Sequence, residues 1–104
     1  MAFRIEYSRV ALQDIIDAFD FIAKDSQLRS QNWTEGLFEL VETLMELPER
    51  HELIREAKKL QRQLRSIHYH SHRIIYEVQV ERNTVFIVRV YHGARRPLAK
   101  KDVD

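Results

Sequence analysis

The chain has 104 residues, 44% of them hydrophobic and 32% charged, with a net charge of +1. That describes one soluble globular domain and excludes a disordered chain. Having no cysteine, it forms no disulfide, thiol nucleophile or cysteine zinc site, and two glycines, Gly36 and Gly93, are too few for a Gly-rich phosphate loop.

The opening residues, MAFRIEYSRV, contain no apolar signal core, so export is not expected and a cytoplasmic location is. No apolar run reaches the length of a membrane span, so no membrane partner is expected. Residues Ala2 to Tyr7 alternate Phe3, Ile5 and Tyr7 with Arg4 and Glu6, the period of a half-buried strand. Ser8 is placed to cap a helix from Arg9 to Lys24, whose stripe is Leu12, Ile15, Ile16, Phe19 and Ile22. Asp25-Ser26-Gln27 breaks that pattern. A second stripe, Trp33, Leu37, Leu40, Val41 and Leu44, predicts a helix from about Leu28 to Glu46, stopped by Pro48. The short connection makes the two helices an antiparallel hairpin. Leu47 to Gln63 has weak periodicity and reads as a loop with one or two turns.

Three strands are expected next: Leu64–Tyr69, His72–Glu81 and Thr84–His92, followed by the basic tail Gly93-Ala94-Arg95-Arg96-Pro97. The fold class is therefore α+β: an N-terminal strand, a helical hairpin and a three-stranded antiparallel C-terminal meander. Charge is uneven along it. Residues 1–54 hold five Lys and Arg against eleven acids, near −6; residues 55–104 hold twelve against five, near +7. Either the halves attract each other, or the second half meets an acidic partner such as nucleic acid or an acidic peptide.

Register gives the meander two faces. A two-residue turn at Arg82-Asn83 pairs Val80 with Val85, Val78 with Ile87, Ile74 with Tyr91 and Arg73 with His92. A turn at His70-Ser71 pairs Ile67 with Ile74 and His68 with Arg73. The expected core face is Ile67, Ile74, Tyr76, Val78, Val80, Val85, Ile87 and Tyr91. The expected open face gathers His68, Arg73 and His92, with Arg95 and Arg96 beyond the strand end and Arg65 near Tyr76 and Arg89. An arginine beside a histidine can hold a phosphate while the imidazole moves a proton, which suits metal-independent phosphodiester cleavage. Composition alone favours the plainer reading, in which the arginines pair with Glu77 or with an acidic partner and the histidines are edge residues. A metal site is not expected. His68, His70 and His72 have no nearby acid, and Arg73 would repel a cation.

The order of elements, with HRIIYEV at 72–78, RVYHGARR at 89–96, Leu47-Pro48 and Arg55-Glu56, closely resembles the RelE/ParE superfamily. These are toxins of type II toxin–antitoxin modules, long described as plasmid stabilisation proteins. The resemblance covers nearly the whole chain. RelE-like members cleave mRNA on the ribosome, and ParE-like members poison DNA gyrase. For the nuclease branch the resemblance implies catalysis by Arg73, and by His92 as in toxins resembling YoeB, with Arg65, His68 and Arg95 in support. Target contacts would come from Lys58, Lys59, Arg62, Arg95 and Arg96. Two features depart from RelE: Gln61 and Gln63 replace its basic residues, and no aromatic residue follows Tyr91. The hairpin and the His-Gly-Ala-Arg tail look more like the ParE branch. The resemblance implies a cognate antitoxin covering the helical hairpin and the basic sheet face, and no cofactor.

Overall fold

A computed structural model describes residues 2–93 and 95–103; Ala94 of the basic tail lies outside the described residues. A four-stranded sheet runs in the order β1 (Arg4–Tyr7), β4 (Thr84–His92), β3 (His72–Gln79) and β2 (Leu64–Tyr69). β1 pairs parallel with β4, and the remaining pairs are antiparallel. Helices α1 (Arg9–Ala23) and α2 (Gln27–Glu42) form the hairpin. The architecture is α+β as read from the sequence; short helices α3 (Ala57–Leu60), within the expected loop, and α4 (Lys100–Val103), not expected, complete the chain.

Local chemistry sets these boundaries. Ser8 Oγ accepts from Ala11 N at 2.9 Å and Ser26 Oγ from Arg29 N at 3.2 Å, so each long helix starts at a serine cap. Past Glu42, α2 tightens into a 3-10 turn, Thr43–Met45, before Pro48. Arg50 then ties this corner, donating to the carbonyls of Thr43, Glu46 and Leu47. The main core lies between hairpin and sheet: Ala11, Ile15, Leu37, Val41, Leu44, Ile67, Ile74, Tyr76, Val85, Ile87 and Val90. The α2 stripe is the expected one. The α1 stripe is rotated: Ala11 is buried, while Leu12 and Ile16 are exposed. Ala11 has almost no side chain, so that face of α1 can settle closest to the sheet.

The meander differs from its expected register at one end. The His70-Ser71 turn pairs Ile67 with Ile74 and His68 with Arg73, as the sequence implies. The β3–β4 connection is longer than two residues. Val80–Arg82 form a 3-10 turn, and Asn83 takes a left-handed conformation at φ 50°. Val78 therefore meets Val85, and Val80, freed from the ladder, is exposed. A bulge follows. Ile75 pairs with Arg89 and Tyr76 with Ile87, which leaves Val88 without a partner.

Two corrections follow from the turn and the bulge together. Arg73 pairs with Tyr91, and His92 pairs with His72. Val90 takes the core position expected for Tyr91, and Tyr91 shares the opposite face with Arg73. That face is not open: a second small core of Ile54, Ala57, Leu64, Ile75, Val88, Tyr91, Leu98 and Val103 covers it.

Candidate functional site

The expected cluster sits at the β2–β3 turn end of the sheet, where an open groove of about 830 Å³ is lined by His68, Arg73, His92 and Arg95 among others. The loop before α3 and the start of the tail form its sides, through Glu52 to Arg55 and through Gly93, Arg95 and Pro97. The groove thus brings together four sequence-chosen residues, although Arg73 and His92 reach it from opposite faces of the sheet.

Arg73 is already engaged. Its Nη2 lies 2.9 Å from Glu56 Oε2 and its Nη1 3.3 Å from Oε1, a two-pronged ion pair. Glu56 Oε2 also accepts from Leu98 N at 3.1 Å, and the residue is only 6% exposed. The Arg73 hydrogen bonds outweigh burial and hold the Glu56 carboxyl at about 2, well below the usual carboxylate range. Beneath the groove, Tyr91 meets three guanidiniums: Arg95 at 4.7 Å from the ring centroid, Arg89 at 5.3 Å and Arg73 at 6.0 Å. Tyr91 Oη is buried and, among the described residues, has no hydrogen-bond partner.

His92 is exposed, and its ring lies edge-to-face against His72 with centroids 5.0 Å apart. His72 also meets Trp33 of α2 at 5.4 Å. Burial, and then the neighbouring His92, push the His72 imidazole below its ordinary pKa, which favours its neutral form.

The remaining candidates divide between structural ties and open surface. Arg65 stands opposite Tyr76 as expected but bonds the carbonyls of His51 and Glu49, at 2.6 and 3.2 Å. Arg89 is not its neighbour in the ladder: Arg89 pairs with Ile75 and donates twice to Asp14 of α1, each time at 2.8 Å. Asp14 also accepts from Val90 N, closing the β4 edge beyond the end of β1. Arg62 is held by Glu77 and by the Val103 carbonyl, so Glu77 partners Arg62 and not Arg73. Arg96 is held by Asp102 at 2.7 and 3.1 Å. Lys58 and Lys59 are exposed on α3, and neither lines the groove. Sequence reasoning gave no role to Glu56, Asp14 or Asp102. Each is one acid among sixteen, and nothing in its spacing marks it as a partner.

The family model for the ParE toxin of type II toxin–antitoxin system, parDE, matches residues 5–97. The chain belongs to the ParE toxin family. Among solved structures, this ParE-family toxin is similar to the toxin–antitoxin complex RelBE2 from Mycobacterium tuberculosis. The identity is 20%, the TM-score 0.62, and the match covers 91% of this chain and 95% of that one. At that identity the likeness shows the shared fold. A comparison with curated proteins found no match. No helix among the described residues of the toxin is long and apolar enough to cross a membrane.

Proposed function

We propose that this ParE-family toxin arrests growth by binding DNA gyrase in the cytoplasm, and that a cognate antitoxin keeps it silent. The observation that carries this reading is the closed Arg73–Glu56 pair. A guanidinium that must hold a scissile phosphate needs its donor fork, and here Glu56 occupies the fork and is itself buried. The site therefore suits docking better than cutting. The match to the ParE family over residues 5–97 supports the same target. The hairpin supports the antitoxin: Val10, Leu12, Ile16, Phe21, Leu28 and Phe38 are exposed on a chain of only 104 residues, a surface suited to an amphipathic partner segment. Purified toxin is expected to inhibit supercoiling by the gyrase holoenzyme. Supercoiling left untouched at high toxin concentration would sink this reading.

One observation favours the second reading, ribosome-dependent mRNA cleavage by Arg73 and His92: both line one groove with His68 and Arg95. Primer extension on cellular mRNA after induction tests it. That reading expects codon-positioned cuts that disappear in a His92→Gln variant.

A further inference from the structure

The arginines of the C-terminal half fall into two groups. Arg62, Arg73, Arg82, Arg89 and Arg96 each have a carboxylate of this chain within 3.2 Å, and Arg65 has one at 3.8 Å. Arg55 and Arg95 are exposed, and among the described residues neither forms an ion pair. Both line the same groove, Arg55 from the loop before α3 and Arg95 from the tail. The Arg95 guanidinium rests 4.7 Å from the centroid of the buried Tyr91 ring, which limits its freedom before any ligand arrives. The rest of the groove lining carries different chemistry. Arg73 is neutralised by Glu56, Glu52 contributes a further carboxylate to the lining, and Leu53 is 45% exposed.

We propose that this groove, with Arg55 and Arg95 as its two cationic contacts, docks an acidic segment of the toxin's protein target, with an apolar residue of that segment against Leu53. The inference rests on the gyrase reading and adds to it the surface and the chemistry of the partner. A peptide fits better than a nucleic acid for a physical reason. A strand of phosphates carries charge at every step and would lie along the Glu52 carboxylate and an arginine already satisfied. A peptide can place two carboxylates at the guanidiniums and an apolar side chain against Leu53.

The test compares wild-type toxin, an Arg55→Glu/Arg95→Glu variant, and an Arg9→Glu/Lys24→Glu variant with the same charge change on the hairpin. Gyrase inhibition should weaken by about tenfold or more in the first variant and stay at wild-type level in the second. Measurable inhibition that is equal in all three overturns the proposal. A second measurement does not depend on gyrase: binding of a fluorescent glutamate–leucine peptide, and of a single-stranded RNA of equal length, to the whole toxin. Peptide binding lost only in the Arg55/Arg95 variant sustains the groove even where gyrase is untouched, so the two readings can fail separately. No peptide binding by the wild type overturns the proposal, and so does RNA held more tightly than peptide through the same two arginines. Circular dichroism checks folding, and the Arg55→Gln/Arg95→Gln variant replaces the charge reversal where that variant does not fold.

Discussion

At the residue scale, Glu56 is the most informative side chain. It joins the loop before α3 to β3 through Arg73 and to the tail through Leu98 N. Removing one member of a buried pair strands the other, so Glu56→Ala should cost about 3 kcal/mol, read from urea denaturation. Replacing both members, as Glu56→Leu with Arg73→Met, should recover most of that loss, since neither charge is then left behind. The pH dependence follows with a definite sign. The folded-state pKa of Glu56, about 2, lies below its ordinary 4.5. Its contribution is therefore complete above the ordinary value and is lost as pH falls from about 4.5 towards about 2. Asp102, brought from 3.8 to about 2 chiefly by its Arg96 hydrogen bond, adds to the loss in the lower part of that window. The wild-type denaturation midpoint should fall steeply there, and the Glu56→Leu/Arg73→Met protein should fall less. An unchanged slope would contradict the assignment.

At the element scale, two contacts fix how the pieces meet. Gly36 lets α2 approach β2: an added Cβ would stand 2.3 Å from Tyr69 Oη, which donates to the Trp33 carbonyl at 2.7 Å. Gly36→Ala should cost about 1–3 kcal/mol through overpacking, although alanine is the better helix former. Combining it with Tyr69→Phe removes the clashing oxygen, so the double variant should lose less than the sum of the two single losses. Additive losses would show that the clash is absent. Asn83 ends the β3–β4 turn at φ 50° and donates from Nδ2 to the Ala2 carbonyl. Asn83→Val should cost about 1–2 kcal/mol, because a β-branched residue pays steric strain in that region, and Asn83→Gly much less. The residue type at 83 was legible in the sequence as a turn former. The turn's length was not, because Val80 continues the apolar alternation of β3 and nothing local marks it as outside the ladder. The bulge at Val88 was equally invisible: Ile87, Val88 and Val90 are all β-branched and suit a regular strand. Together they put Tyr91 and Arg73 on one face and turned His92 towards His72.

At the scale of the whole molecule, charge and apolar surface are sorted. Several ion pairs join the acidic first half to the basic second half, among them Arg89–Asp14, Arg82–Glu6 and Arg65–Glu49. The expected attraction between halves is therefore partly spent inside the fold, and Arg55 and Arg95 are left for a partner. The hairpin presents apolar residues instead. Leu12 and Ile16 stand one turn apart on α1, 45% and 51% exposed. Leu12→Gln/Ile16→Gln should change stability by less than about 1 kcal/mol, as exposed positions do. Calorimetric affinity for the antitoxin should fall by about tenfold or more if these residues anchor it. Unchanged affinity would move the antitoxin off this part of the hairpin.

The sequence by itself determined the order of the main elements, the Ser8 cap, the α2 stripe, the His70-Ser71 turn and the family, because each rests on neighbours a few residues apart or on motifs that survive as strings. Tertiary structure alone decided the partners. Whether Arg73 is available for a phosphate depends on Glu56, 17 residues earlier, and what Arg89 does depends on Asp14, 75 residues earlier. Side-chain reach in three dimensions leaves no trace in spacing, and one bulged residue reverses which face a side chain occupies.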